Sequence, residues 1–159
     1  HLQSRNPGRY ASCNDQLYWT ELTEQGWALF TEQDNKTTQL YDGVVDVRCA
    51  PDQSLVVQFA ADNSLAVLKS SGQLQQLPVA IDWRNQHAEQ WFVDDSGIYW
   101  LQRDSGSIQS YQWDSGETLS IDWPESQWPV AIYSNGSGLG YVVRPRPHDT
   151  DIVWLQNRR

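Results

Sequence analysis

Residues 95–121 read DSGIYWLQRDSGSIQSYQWDSGETLSI, with Asp-Ser-Gly repeated at Asp95-Ser96-Gly97, Asp104-Ser105-Gly106 and Asp114-Ser115-Gly116. Aspartate can bond its own downstream backbone and glycine takes a positive φ at little cost, so each tripeptide suits a tight turn. The turns recur every nine to ten residues, which leaves runs of ordinary strand length between them. Tyr99, Leu101, Ile108, Tyr111 and Trp113 give those runs aromatic and β-branched weight. This spacing predicts an antiparallel meander.

The same grammar extends outward in both directions. Upstream, strands are expected over Gln16–Leu22, Gly26–Glu32, Thr37–Tyr41, Val44–Cys49, Leu55–Phe59, Leu65–Lys69 and Gln73–Leu77. Turns at Pro51-Asp52-Gln53-Ser54, Asp62-Asn63-Ser64 and Ser71-Gly72 separate them. Downstream, Val130–Tyr133, Tyr141–Val143 and Asp151–Gln156 continue the pattern. Four units begin near Ala11, Val45, His87 and Trp128, and the tripeptide Ile81-Asp82-Trp83 returns as Ile121-Asp122-Trp123, 40 residues later. No run of eleven residues sustains a helical period with caps. The fold class is all-β. Repeats of this length, each a short meander, favour a β-propeller-like stack of about four blades over the alternative, a β-sandwich. The expected organisation is a flexible segment over residues 1–10 and one domain over 11–159. Such a stack either closes on itself, pairs with a second copy through its sheet edges, or continues in blades outside this chain.

The 159 residues carry 20 acidic and 11 basic side chains, a formal charge of -9. That balance argues against binding DNA, RNA or an anionic membrane surface, because those contacts rely on Lys and Arg displacing counterions. The nearest approach to a basic patch is two pairs, Arg144 with Arg146 and Arg158 with Arg159. No apolar run reaches the roughly 20 residues needed to span a bilayer. No signal peptide is visible, and a chain beginning at His1 reads as a processed product or a piece of something longer. Cys13 and Cys49 are too far apart for a redox or zinc pair, leaving a structural disulfide or two buried thiols, with the disulfide favoured. Asn35-Lys36-Thr37 and Asn135-Gly136-Ser137 match the glycosylation pattern.

Candidate chemistry is sparse. Of the histidines, His1 is terminal, His87 lies in a polar stretch before a strand, and His148 shares a loop with Asp149 and Asp151 but lacks a second ligand cluster. Neither a metal site nor a cofactor is expected. Asp46, Asp82, Asp94 and Asp122 fall near comparable ends of successive units, where they would either ring a funnel, as glycosidase carboxylates do, or serve as turn residues. Adjacent Asp94 and Asp95 would point to opposite faces of a strand. Nine tryptophans are spread over the units. Trp19, Trp100 and Trp154 sit in strand contexts and are expected to pack between blades. Trp83, Trp123 and Trp128, with Asp82 and Asp122, lie on or near the connections between units, where such aromatics either serve structural packing, the favoured reading, or, if exposed, suit ligand or protein contact.

The Ala50-Pro51-Asp52-Gln53-Ser54 turn and the closing Asp151-Ile152-Val153-Trp154-Leu155 resemble TolB-like propeller repeats, in which a Ser-Pro-Asp-Gly turn precedes a strand and an aspartate-led segment closes a blade. Gln53 stands where that pattern has glycine, and the Pro-Asp turn occurs once. Such repeats form the extracytoplasmic C-terminal part of membrane-bound winged-helix transcriptional regulators of the CadC/ToxR type. The resemblance implies a non-enzymatic periplasmic sensor, held to the inner membrane by a span and attached to DNA-binding helices outside this chain. Its partners would be a protein, a small ligand or a second copy. A carbohydrate-binding or glycoside-hydrolysing propeller, and a scaffold with no ligand of its own, are the alternatives.

Overall fold

A computed structural model describes residues 7–69, 71–82, 91–102, 107–121, 127–134, 139–145 and 151–155; over 127–155 it is mainly the backbone that is described. Among the described residues, fifteen strands form four antiparallel sheets and no helix occurs. The strands of each sheet follow chain order, so each sheet is a meander.

The chain divides into two compact units, His1–Arg84 and Asn85–Arg159. In the first unit, β1 (Pro7–Cys13), β2 (Gln16–Thr23), β3 (Gly26–Gln33) and β4 (Lys36–Asp42) make one sheet. β5 (Val44–Cys49), β6 (Leu55–Phe59), β7 (Ser64–Leu68) and β8 (Leu74–Ala80) make the next. In the second unit, β9 (Trp91–Val93), β10 (Gly97–Gln102), β11 (Ser107–Gln112) and β12 (Thr118–Ile121) form a sheet of four. β13 (Gln127–Ser134), β14 (Leu139–Pro145) and β15 (Asp151–Leu155) form a sheet of three.

Hairpin chemistry explains the tight connections. Asn14-Asp15 and Asp34-Asn35 each supply two consecutive positive-φ residues, the requirement of a two-residue type I′ turn, and Asn and Asp bear that conformation better than most. Between Thr23 and Gly26 the same job falls to glycine, at φ 115°. At the start of β10 glycine is required for space: a Cβ on Gly97 would stand 2.0 Å from the Tyr111 carbonyl oxygen.

Burial follows strand position. The middle strands β6 and β10 are buried almost throughout, so both their faces are covered and their sequences, LVVQF and GIYWLQ, are nearly continuous in apolar residues. The last strands β4 and β12 are exposed almost throughout. Within the first unit, β5 packs against β1, β2 and β3. Leu29, Val44, Val47, Leu55, Val57 and Ala66 form an aliphatic core there. Within the second, β13 packs against β9 and β10, and Tyr99, Leu101, Ile108 and Ile132 form the core with Phe92 and Ile121 against it.

The expected strands recur within a residue or two at most ends. β1 was not expected, and β9 is the strand expected after His87, for which no bounds were given. β1 takes in residues 7–10, part of the segment expected to be flexible, because Tyr10 pairs with Trp19 and draws that stretch into the sheet. Residues 1–6 lie outside the described residues.

Candidate functional site

The polar group with the most built surroundings lies where β1, β2 and β5 meet. Asp46 is the second residue after Val44, whose register against β6 slips by one before Asp46, and it is buried among the three valines of β5. Asp46 Oδ1 accepts the Val47 N–H at 2.8 Å, and Oδ2 lies 3.4 Å from Arg48 Nη2. Spacing of two along a strand puts Asp46 and Arg48 on one face. Burial pushes the Asp46 carboxyl above its ordinary range, opposed in turn by the positive charges of Arg48 and Arg9 and by the Val47 N–H. Thr20, fully buried on β2, links the strands: its hydroxyl donates to the Val45 carbonyl at 3.1 Å and accepts the Arg9 N–H at 2.9 Å.

This arrangement offers the positive charges of Arg9 and Arg48 beside one buried carboxyl. It can orient a polar or anionic group by charge-assisted hydrogen bonds, and the carboxyl can hold a proton at a pH where a free aspartate would have lost it. It supplies one carboxyl, where glycoside hydrolysis needs two facing each other across the bond.

The other aspartates fare differently. Asp94 caps the turn between β9 and β10: its Oδ1 accepts the Ser96 N–H at 2.9 Å, the Ser96 hydroxyl at 2.7 Å and the Gly97 N–H at 3.1 Å. The turn was expected to be set by Asp95 within Asp95-Ser96-Gly97. The capping residue is Asp94, because an aspartate reaches the backbone two residues ahead of it. Asp52 and Asp62 repeat the motif with Ser54 and Ser64, and those serine contacts hold both carboxyls below the ordinary range. Asp82 follows β8 and is exposed. Asp122, Trp83, Trp123, His1, His87 and His148 lie outside the described residues. Trp128 is opposite Arg144 in the β13–β14 ladder, and its side chain is not described. Trp83, Trp123, Trp128, Asp82 and Asp122 are therefore not brought together by any described contact. Trp19 and Trp100 are buried on β2 and β10, as their strand contexts suggested. No group of three or more His, Cys, Asp or Glu among the described residues is placed to hold a metal.

Cys13 and Cys49 form a disulfide joining the ends of β1 and β5. Beside it, the Asn14 backbone N–H donates to the Gln53 side chain and the Asn14 side-chain amide to the Gln53 carbonyl, both at 2.9 Å. Gln53 sits at φ 64°, the conformation for which the TolB-like pattern has glycine. Its side chain compensates the backbone cost by anchoring the neighbouring turn.

Sequence reasoning singled out Asp46 but not its partners. The signal for Arg48 was there, in the spacing of two along a strand. Arg9 had none, since its strand was not expected.

No protein-family model matches the chain, and no curated protein is significantly similar to it. Solved structures are. Virginiamycin B lyase from Staphylococcus aureus matches over 96% of this chain and 56% of its own, with a TM-score of 0.58 at 13% identity. The fold is β-propeller-like. The gluconolactonase XC5397 from Xanthomonas campestris matches over 99% of this chain and 60% of its own, with a TM-score of 0.58 at 14% identity. The extracellular domain of BT4673 from B. thetaiotaomicron, assigned to a hybrid two component system, matches over 97% and 23%, with a TM-score of 0.57 at 15% identity. This chain thus spans little more than half the length of the two enzymes and less than a quarter of the sensor domain.

Proposed function

We propose that this propeller-like chain is a binding module acting outside the cytoplasm, the sensory part of a membrane-bound winged-helix transcriptional regulator. The observation that carries this reading is the disulfide between β1 and β5. Structural disulfides persist in oxidising compartments and are rare in the cytosol. A fold shared with an extracellular domain of a signalling protein supports the same side of the membrane. Binding would shift the population of an attached effector rather than transform the ligand. The Arg9, Asp46 and Arg48 group supplies the recognition chemistry among the described residues, and Trp83, Trp123 and Trp128 with Asp82 and Asp122 are the further candidate contacts. The propeller itself needs neither metal nor cofactor for this role, and attachment to the inner membrane would come from a span outside this chain.

The competing reading is catalytic, a carbohydrate-binding or glycoside-hydrolysing propeller, since two fold neighbours are enzymes. One experiment separates them. The oxidised chain is heated with a panel of small carboxylates and sugars, and the same panel's glycosides are assayed for hydrolysis. A ligand-specific rise in melting midpoint of about 2 °C or more, reduced in Arg48→Gln and without turnover, supports the sensor. Turnover abolished by Asp46→Asn would establish the enzyme instead.

A further inference from the structure

Three of the sheets hold four strands each, and in them the third strand, β3, β7 or β11, is bonded on both sides. The sheet of β13, β14 and β15 is different. β15 takes the third place and, among the described residues, no strand lies beyond it. Its sequence suits a strand covered on both sides. Ile152, Val153, Trp154 and Leu155 are four apolar residues in a row, as Leu65 to Leu68 are in β7. The fourth strands read otherwise: β4 and β12 interrupt their apolar residues with Thr, Gln or Ser, and β8 with Gln and Pro.

Natural sheet edges are guarded by charge, proline or bulges, and an unguarded apolar edge is a template for another strand. β4 carries Lys36 and Asp42, and its register against β3 slips between Leu29 and Phe30. β8 contains Pro78 and slips against β7 between Ser64 and Ala66. β15 pairs with β14 along its whole length without a slip, contains no proline, and carries a single charge, Asp151, at its first position.

Register decides what fits there. In antiparallel pairing, two facing residues must both turn their N–H and C=O groups to the partner strand or both turn them away. β15 paired with its own copy about a two-fold axis through Val153 meets this condition at every position, because facing residues are always an even number of places apart. Val153 faces Val153, Asp151 faces Leu155, and Ile152 faces Trp154. The match holds whichever alternate set of amides β14 already uses. No like charges are opposed, and an aromatic residue opposite a β-branched one is a favourable cross-strand pair. We propose that β15 pairs with β15 of a second copy of this chain, so that two three-stranded sheets run on as one. The formal charge of -9 opposes such association, so salt, which screens it, should tighten the dimer. This goes beyond the binding reading above and does not depend on it.

Sedimentation equilibrium of the folded, oxidised chain over about 1–500 µM tests this. The mass should rise from 18.3 kDa towards twice that value, with a midpoint of about 10–100 µM that falls severalfold as salt is raised. Val153→Lys and Val153→Glu each set like charges at the axis and should weaken self-association at least tenfold. An equimolar mixture of the two should restore it, because position 153 meets its own counterpart only across this axis. Amide exchange in the unaltered chain gives a readout that no variant's folding can affect. Alternate amides within Asp151–Leu155 should exchange freely at the lowest concentration and slow at the highest. A monomer at every concentration, a dimer undiminished by Val153→Lys, a mixture of folded variants no tighter than either alone, or uniformly protected β15 amides at the lowest concentration would each overturn the proposal. The last result would mean that the chain covers this edge itself. A monomer whose alternate β15 amides stay open at the highest concentration would point instead to a strand from another protein. A ligand-specific thermal shift in a chain that stays monomeric would overturn the dimer alone and leave the sensor reading standing.

Discussion

The two compact units hold their sheets together by different means. In His1–Arg84 the core is aliphatic, built from Leu29, Val44, Val47, Leu55, Val57 and Ala66, and a covalent bridge ties the first strand of one sheet to the first strand of the next. In Asn85–Arg159 aromatic rings brace the β9–β12 sheet from within. Phe92 and Tyr99 stack with centroids 4.9 Å apart, and Tyr111 meets Trp113 edge-on at 5.7 Å. These rings also bond turns: the Trp113 indole N–H donates to the Asp94 carbonyl at 3.0 Å, and the Tyr99 and Ser96 hydroxyls pair at 2.7 Å. The first unit has its own such rings, with Trp19 stacked on Phe30 and the Tyr41 hydroxyl donating to the Gly72 carbonyl, and adds to them a cross-link and the Asn14–Gln53 contacts. Aromatics with a polar tip fill space and fasten turns at once.

The sharpest way to break this contrast is to remove the bridge. Serine at both Cys13 and Cys49 should lower stability by about 3–4 kcal/mol, measured as a drop in denaturant midpoint, with loss of structure beginning in the first unit. Equal midpoints for oxidised and reduced chain would refute the idea that the aliphatic unit depends on its cross-link. Core truncation comes next. Leu29→Ala and Ile108→Ala each delete a fully buried side chain, and each should cost roughly 2–4 kcal/mol. Chemical denaturation of both variants tests whether the two cores carry comparable weight.

A smaller effect separates the turns. Asp94→Ala removes an acceptor of three hydrogen bonds, whereas Asp62→Ala removes the contacts of a fully exposed carboxylate to the Ser64 N–H and hydroxyl. The first should cost about 1–2 kcal/mol and the second clearly less, as thermal scans of the two variants would show.

The smallest effect is in the pH profile, where two aspartates of the first unit act with opposite sign. Asp46 has a raised folded-state pKa, chiefly from burial. The folded chain holds that proton more tightly than the unfolded one, so stability falls as pH rises from the ordinary aspartate value through the raised one. Asp52, held low chiefly by the Ser54 hydroxyl, contributes stability that is present above the ordinary value and lost as pH falls through its depressed one. Asp46→Asn should therefore gain on the parent as pH rises through the mildly acidic range, while Asp52→Asn should lose most at neutral pH. Melting midpoints between pH 3 and 7 would show parallel curves if neither environment mattered.

Much of the fold was legible because it is written locally. Asp-x-Ser and Asp-Asn turns, a strand-length spacing and alternating aromatics all act within ten residues, and those that fall on described residues were realised close to where the sequence placed them; the Asp104-Ser105-Gly106 turn lies outside the described residues. β1 was missed because PGRYASC carries little of that signal and is ordered by pairing with β2, whereas the aromatic and β-branched WFV of β9 falls where a strand was expected after His87. The site was less legible for the same reason. Asp46 looks like any turn aspartate until β1 brings Arg9 towards it and β2 supplies Thr20. The tryptophans divide along that line as well: Trp19 and Trp100 could be placed from the strands that carry them, whereas nothing described brings Trp128 together with Trp83 and Trp123.

The position of the disulfide bears on how the chain is made. β1 to β4 pair only with sequence neighbours and can assemble as soon as they leave the ribosome. Cys13 must then wait for a partner 36 residues downstream, which comes within reach only when β5 has been synthesised and has docked on β1. Closure of the bridge thus reports the correct meeting of these two blades, and the lifetime of the Cys13 thiol in an oxidising compartment is a clock for that event.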